Sequence, residues 1–163
     1  MKINEHCSEK HVQWTIVKFK NQEMYAQNNA YDTSEIDGNV MLNEGINHLW
    51  TLACYSGTAF DDENSFLGVG DSSVAAAATQ TGLQATTNLL YKLVDSGYPI
   101  YGSLQKATWQ TTFNATEANF AWNEFTLSNG DSNSDVNLNR KVSSQGTKLV
   151  NEIWVLRLEI TLA

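Results

Sequence analysis

The sequence predicts a mainly β, antiparallel fold with one or two short helices. Three observations lead there. Several segments alternate apolar and polar residues with a period of two, proline occurs once in 163 residues, and only 17 % of residues are charged in a chain rich in Thr, Asn and Ser.

The elements follow in chain order. Around "HVQWTIVKFK" the β-branched and aromatic residues predict a strand, with a break in alternation between Ile16 and Val17 that suggests a bulge. "LNEGINHLWTLACYSG" predicts a helix. Asn43 is its expected cap, Ile46, Leu49, Trp50 and Ala53 recur at helical spacing, and Gly57 stops it, so it should cover one open end or edge of the sheets. "FLGVG" predicts a strand leading into a turn that draws on the freedom of Gly68 and Gly70, with Asp71 or Ser72 as a cap. "TGLQATTNLLYKLVD" is compatible with a second short helix or with extended chain.

The second half is clearer. In "KATWQTTF", Ala107, Trp109, Thr111 and Phe113 share one face and Lys106, Thr108, Gln110 and Thr112 the other. "ANFAWNEFTL" and "VNLNRKV" predict two further strands joined by the turn-rich "SNGDSNSD". "EIWVLRLEITLA" predicts a long strand closing the sheet, with Trp154, Leu156, Leu158, Ile160 and Leu162 on one side and Arg157, Glu159 and Thr161 on the other. Consecutive β segments without a helical pattern between them favour antiparallel pairing.

Length fits one compact unit, with 42 % hydrophobic residues to fill its core. The net charge of -8 repels a phosphate backbone, so no nucleic-acid partner is expected. Residues 1 to 70 hold 10 of the 18 acidic groups, placing the acidic surface in the first half. No apolar run reaches the roughly 20 residues of a membrane helix, and "MKINEHCSEKHVQW" lacks the apolar block of a signal peptide. The expectation is a chain made and folded in the cytoplasm, without a membrane partner. Cys7 and Cys54 form no disulfide framework or Cys-x-x-Cys pair and are expected as free thiols.

Candidate chemistry is thin. "GVGDSS" has Ser73 where a dinucleotide fingerprint needs its third glycine, and no Gly-Lys-Ser or Gly-Lys-Thr exists for a Walker loop. No Gly-x-Ser-x-Gly elbow accompanies His6, His11 and His48. Cys7 with His6 and His11 falls short of a four-ligand metal site. Asp131, Asn133 and Asp135 match the first ligand positions of a calcium loop, but Val136 and Val142 replace its glycine and its glutamate. The carboxylates of "DDEN", residues 61 to 64, cannot all converge from an extended strand. Glu117 and Glu124 are the one carboxylate pair that glycoside chemistry could use, and Trp50, Trp109, Trp122 and Trp154 could stack on sugars, although the phase of 109 and 154 favours the core. "NAT" at 114 to 116 is a glycosylation triplet without a secretory context. No catalytic, cofactor or metal residue is expected.

The order of pieces "GNVMLNEGINHLW", "AFDDENSFLGVGDSSVAAAATQTGLQA", "TFNATEANFAWNEFTLSNG", "LNRKV" and "SQGTKLVNEIWVLRLEITLA" resembles small β-rich virion proteins of tailed bacteriophages, over roughly residues 38 to 163. The shared features are a Gly-x-Gly-Asp/Thr turn, an Ala-rich Thr-x-Leu segment, a Glu-Ala-Asn strand and a closing Trp-x-Leu strand. The resemblance implies a jelly-roll-like β-sandwich in the virion, without enzymatic activity or cofactor. It implies a capsid decoration, or cement, protein that binds the major capsid protein and copies of itself as a homotrimer; the alternative is a tail, collar or fibre component that contacts other tail proteins. Residues 1 to 37 lie outside the match and are expected as an N-terminal extension or arm with a strand, ahead of a sandwich domain over 38 to 163.

Overall fold

The computed structural model describes residues 11 to 162. Its strands are β1 (His11–Phe19), β2 (Asp32–Asp37), β3 (Val40–Met41), β4 (Phe66–Gly70), β5 (Leu89–Leu93), β6 (Ile100–Ser103), β7 (Lys106–Phe113), β8 (Glu124–Ser128), β9 (Asn139–Val142) and β10 (Ile153–Thr161), with helices α1 (Gln22–Ala26) and α2 (Asn43–Cys54). Two antiparallel sheets, β2-β1-β10-β7-β6 and β3-β9-β8-β4-β5, stack as a sandwich.

The core lies between the sheets and follows the two-residue period. Val12, Trp14 and Ile16 of β1, Trp109 and Phe113 of β7, and Trp154, Leu156, Leu158 and Ile160 of β10 meet Leu67, Val69, Phe125 and Leu127 of the second sheet. Trp122 sits among Phe113, Phe125 and Trp154 with edge-on rings 4.9 to 6.3 Å apart, a favoured aromatic geometry.

Residues 11 to 37 supply β1 and β2, and β1 runs between β2 and β10. No bulge interrupts β1. Ile16 faces Leu156 and Val17 faces Val155 in unbroken register. The apparent slip has another cause: Val17 and Phe19 belong to the outer face, where they join Ile153 and Val155 in a small second cluster. Met24 and Tyr25 cover it from α1, a five-residue helix started by Asn21, whose side chain accepts from the Met24 N–H at 2.9 Å. The inward position that follows Ile16 is Lys18. Its ammonium lies 4.7 Å from the Trp154 ring centre and donates to Asp32 at 2.7 Å and to the Gln145 carbonyl at 2.9 Å.

Strand β10 does not close its sheet at an edge but runs through the middle, paired with β1 on one side and β7 on the other. Extended chain wins over helix in "TGLQATTNLLYKLVD", where only Leu89–Leu93 forms a regular element. Nor do Gly68 and Gly70 serve a turn. Both lie within β4, on the face opposite Leu67 and Val69, and they are needed for space: a Cβ on Gly68 would stand 2.7 Å from the Tyr91 ring, and one on Gly70 would stand 2.5 Å from Glu124 Oε1.

Helix α2 forms where the sequence predicts it, but Leu42 is its N-cap residue and no side chain caps it; the Asn43 N–H instead donates to the Ala78 carbonyl at 2.8 Å. Gly45, the buried residue of α2, lies against the Leu138 backbone, where an added Cβ would stand 2.5 Å from the Leu138 Cα. Backbone cannot yield as a side-chain end can, so overpacking of about 1–3 kcal/mol outweighs the roughly 1 kcal/mol that alanine offers over glycine in a helix. Gly45→Ala is therefore expected to lower the thermal midpoint, measured by circular dichroism; an unchanged or raised midpoint would contradict the contact.

Candidate functional site

Two features of the described residues have the makings of a site, a buried polar layer and an apolar cleft. The polar layer lies on the outer face of the second sheet, beneath residues 71 to 88. Glu124 and Arg140, both without exposed side-chain surface, form its centre. Arg140 Nε donates to Glu124 Oε2 at 2.7 Å and Nη1 donates to Gln80 at 2.9 Å. Nη2 lies 2.6 Å from the same carboxylate oxygen without the alignment of a hydrogen bond. The backbone N–H groups of Gln84 and Ala85 donate to the carboxylate from the covering segment.

The covering segment is held a second time by Asn133, which accepts from the Leu83 N–H and returns a bond to the Leu83 carbonyl, both at 2.9 Å. Tyr91 donates toward Asn133 and lies 3.0 Å from Asn137 Oδ1, to which Thr126 also donates. Burial pushes the Tyr91 phenol well above its ordinary value. Every carboxylate and guanidinium here is engaged within the fold, which makes the layer a fastening for the 71 to 88 segment rather than a reactive centre.

The cleft is of another kind. It holds about 850 Å³ at the end of the sandwich marked by Lys106, Ile160 and Leu162, within the range of sites that enclose a ligand or a partner's side chains. Core residues Trp109, Leu138 and Ile160 line it together with Ile46, Leu49, Trp50 and Ala53 of α2 and Leu104 of the β6–β7 turn. The helix face expected to close an end of the sheets is thus left open: Trp50 is 67 % exposed, and Ile46 and Leu49 about 40 %. Leu104 is 73 % exposed, and it and Gln105 hold φ of +55° and +52°, the positive pair that a two-residue hairpin turn demands and usually gives to Asn-Gly. A leucine kept there at a cost of about 1–3 kcal/mol marks the wall as a place where the fold accepts strain.

The residues singled out in the sequence scatter. Glu124 is spent on Arg140, whereas Glu117 pairs with Lys92 and accepts from the Asn114 N–H at 2.7 Å. Burial alone pushes the Glu117 carboxyl up, but Lys92 and the Asn114 N–H outweigh it and hold it below the usual range. The two carboxylates belong to separate bonding groups and do not meet as an acid pair. Asp135 accepts from Ser132, and Asn133 faces Leu83, so the "DSNSD" side chains staple loops. Asp61 accepts from the N–H groups of Glu63 and Asn64 and forms a local turn. No group of three His, Cys, Asp or Glu side chains able to hold a metal occurs among the described residues. His6 and Cys7 lie outside them. Trp109, Trp122 and Trp154 are core, and only Trp50 of the four proposed stacking rings stands in solvent.

Two features escaped the sequence. The cleft gives no signal there, because helical spacing identifies a shared face without saying whether anything covers it. Lys148 is the other. It has no exposed surface and donates to the Asn114 carbonyl at 2.7 Å and to Asn119 Oδ1 at 2.8 Å. Burial pushes its pKa down to about 8.

Comparison with protein-family models, with curated proteins and with solved structures finds no match for this chain.

Glu124→Gln leaves Arg140 buried without a countercharge, so a loss of about 3–5 kcal/mol is expected in chemical denaturation; a loss within experimental error would show that the pair holds nothing together. Lys148 sets a pH dependence. Below about 8 both states keep the proton and the folded chain carries the cost of a buried charge, whereas between about 8 and the ordinary 10.5 only the unfolded chain stays protonated. Wild-type stability should therefore rise with pH above about 8, read below 10.0, where tyrosine begins to ionise and the raised Tyr91 works in the opposite sense. Lys148→Met should lack that rise, and equal pH slopes in the two proteins would contradict the assignment.

Proposed function

We propose that the protein is a non-enzymatic assembly module, and specifically a structural virion protein of a tailed bacteriophage that decorates the capsid, binds the major capsid protein lattice and stabilises the head. The observation that carries the assembly part is the open apolar cleft. A folded chain that buries Trp14, Trp122 and Trp154 almost completely yet leaves Ile46, Leu49, Trp50 and Leu104 around a cleft running into its core has surface suited to another molecule. The engagement of Glu124 and Glu117 in separate ion pairs supports a binding role over glycoside chemistry. The virion setting rests on the resemblance of residues 38 to 163 to small phage virion proteins, and location in the virion follows from it.

Co-sedimentation tests this reading. Purified protein mixed with expanded capsids that lack it should pellet with them at a fixed ratio to the major capsid protein and raise their resistance to heat. Antibody labelling of whole particles should decorate the head. Label confined to the tail, or protein left in the supernatant, would contradict the decoration role.

A further inference from the structure

Lys148 and Asn119 bring an amine against a side-chain amide inside the fold. Lys148 lies in the chain between β9 and β10, where its N–H donates to the Phe120 carbonyl at 3.1 Å, and Asn119 lies between β7 and β8. The lysine has no exposed surface. Its Nζ donates to Asn119 Oδ1 at 2.8 Å and to the Asn114 carbonyl at 2.7 Å. With a C=O bond of about 1.2 Å, Nζ stands no more than roughly 4 Å from Asn119 Cγ. The amide is fixed from its other end, because Asn119 Nδ2 donates to the Ala115 carbonyl at 3.1 Å.

A lysine taken out of water ordinarily meets a carboxylate. This one does not. Glu152, Glu117 and Lys92 are the charged groups around it, but among the described residues Glu152 pairs with Lys20 and Glu117 with Lys92. A pKa of about 8 leaves roughly a tenth of the amine unprotonated, and so nucleophilic, at pH 7. Glu117 is held beside the pair through Asn114, whose N–H donates to Glu117 Oε2 at 2.7 Å and whose carbonyl accepts from Lys148. Lys92 also donates to Oε2, which leaves Oε1 open to a proton. Glu152, by contrast, takes bonds on both oxygens, from Lys20 and Tyr31 on one and from the Leu149 N–H and Trp154 on the other.

We propose that Lys148 and Asn119 close an intramolecular isopeptide bond, with Glu117 carrying the proton. The Nζ lone pair attacks Cγ, and the carbonyl π pair moves to Oδ1. Glu117 takes a proton from Nζ and passes it to Nδ2. The carbonyl then re-forms, the Cγ–Nδ2 bond breaks, and Nδ2 leaves as ammonia with the bonding pair. An amine and a primary amide become a secondary amide and ammonia, so the step needs no oxidant, cofactor or second molecule. It happens once per chain and is a self-modification rather than turnover. The fixed approach replaces a bimolecular encounter, and burial of Nζ keeps competing water away. Asn119 is only half-buried, which gives ammonia a way out. The bond joins the chain ahead of β8 to the chain ahead of β10 and encloses β8 and β9 in one covalent loop. It stands independently of any partner the protein has.

Intact-mass spectrometry tests it. Folded wild type held at pH 8 should be lighter than its sequence by one ammonia. Trypsin should then leave residues 107 to 140 joined to residues 142 to 157, because an amidated Lys148 is not cleaved. Asn119→Ala and Lys148→Arg should keep the full sequence mass. Glu117→Gln, timed in freshly synthesised chain, should close more slowly by roughly a hundredfold or more. Wild type at full mass would overturn the proposal whatever the variants do, as would an ammonia loss confined to the 107 to 140 peptide, the mark of a cyclic imide at an asparagine. Closure of Glu117→Gln at the wild-type rate would overturn the role of Glu117. The pH dependence derived above belongs to the free amine: Asn119→Ala should show it, and a closed chain should not.

Discussion

Strand β10 is the element on which the rest of the structure depends. It pairs with β1 over nine positions and with β7 over eight, so the first sheet exists as one sheet only through it. Its inward residues, Trp154, Leu156, Leu158 and Ile160, form the floor of the core, and its outward Ile153 and Val155 give α1 something to cover. A slip of one residue would turn Trp154 toward solvent and Arg157 into the core, so the register of all three strands is fixed by burial. The cost of exposing one large aromatic and burying one unpaired guanidinium exceeds anything an exposed turn could contribute.

The second sheet solves a different problem. Its outer face carries Glu124, Thr126, Tyr91 and Arg140, which could not be buried beneath the 71 to 88 segment unless each found a partner. Glycines on alternate positions of β4 make the room, one for the Tyr91 ring and one for the Glu124 carboxylate. The sandwich therefore has an apolar inner layer and a polar outer one, and the inner layer runs out to Trp109, Leu138 and Ile160 at the end where α2 stands. There the packing stops short, and the cleft is what remains.

Period-two alternation made β7 and β10 legible to within a residue or two, because each points large apolar residues, Trp109 and Phe113 or Trp154, Leu156, Leu158 and Ile160, at the core from alternate positions. The helical spacing of Ile46, Leu49, Trp50 and Ala53 located α2 equally well and misjudged its environment: periodicity reports which residues share a face, while coverage depends on what packs there. Lys18 shows the same limit from the other side, an inward charge made tolerable by Asp32, Gln145 and the Trp154 ring, all distant in sequence or on another strand. Gly68 and Gly70 drew attention as glycines should, yet their reason lay on neighbouring strands, in Tyr91 and Glu124. The central place of β1 was likewise invisible, since nothing in "HVQWTIVKFK" names its partner, β10, at the far end of the chain.

The central claim is that the core closes without the apolar face of α2. Tryptophan fluorescence tests it directly, because four of the five tryptophans are at most 7 % exposed and Trp50 is 67 % exposed. In dilute solution, acrylamide should quench one fraction of the emission freely and the remainder poorly, and Trp50→Phe should abolish the quenchable fraction at unchanged stability. Uniformly weak quenching in dilute wild-type protein, or a Trp50→Phe variant that unfolds, would mean that α2 belongs to the core and that the cleft is closed.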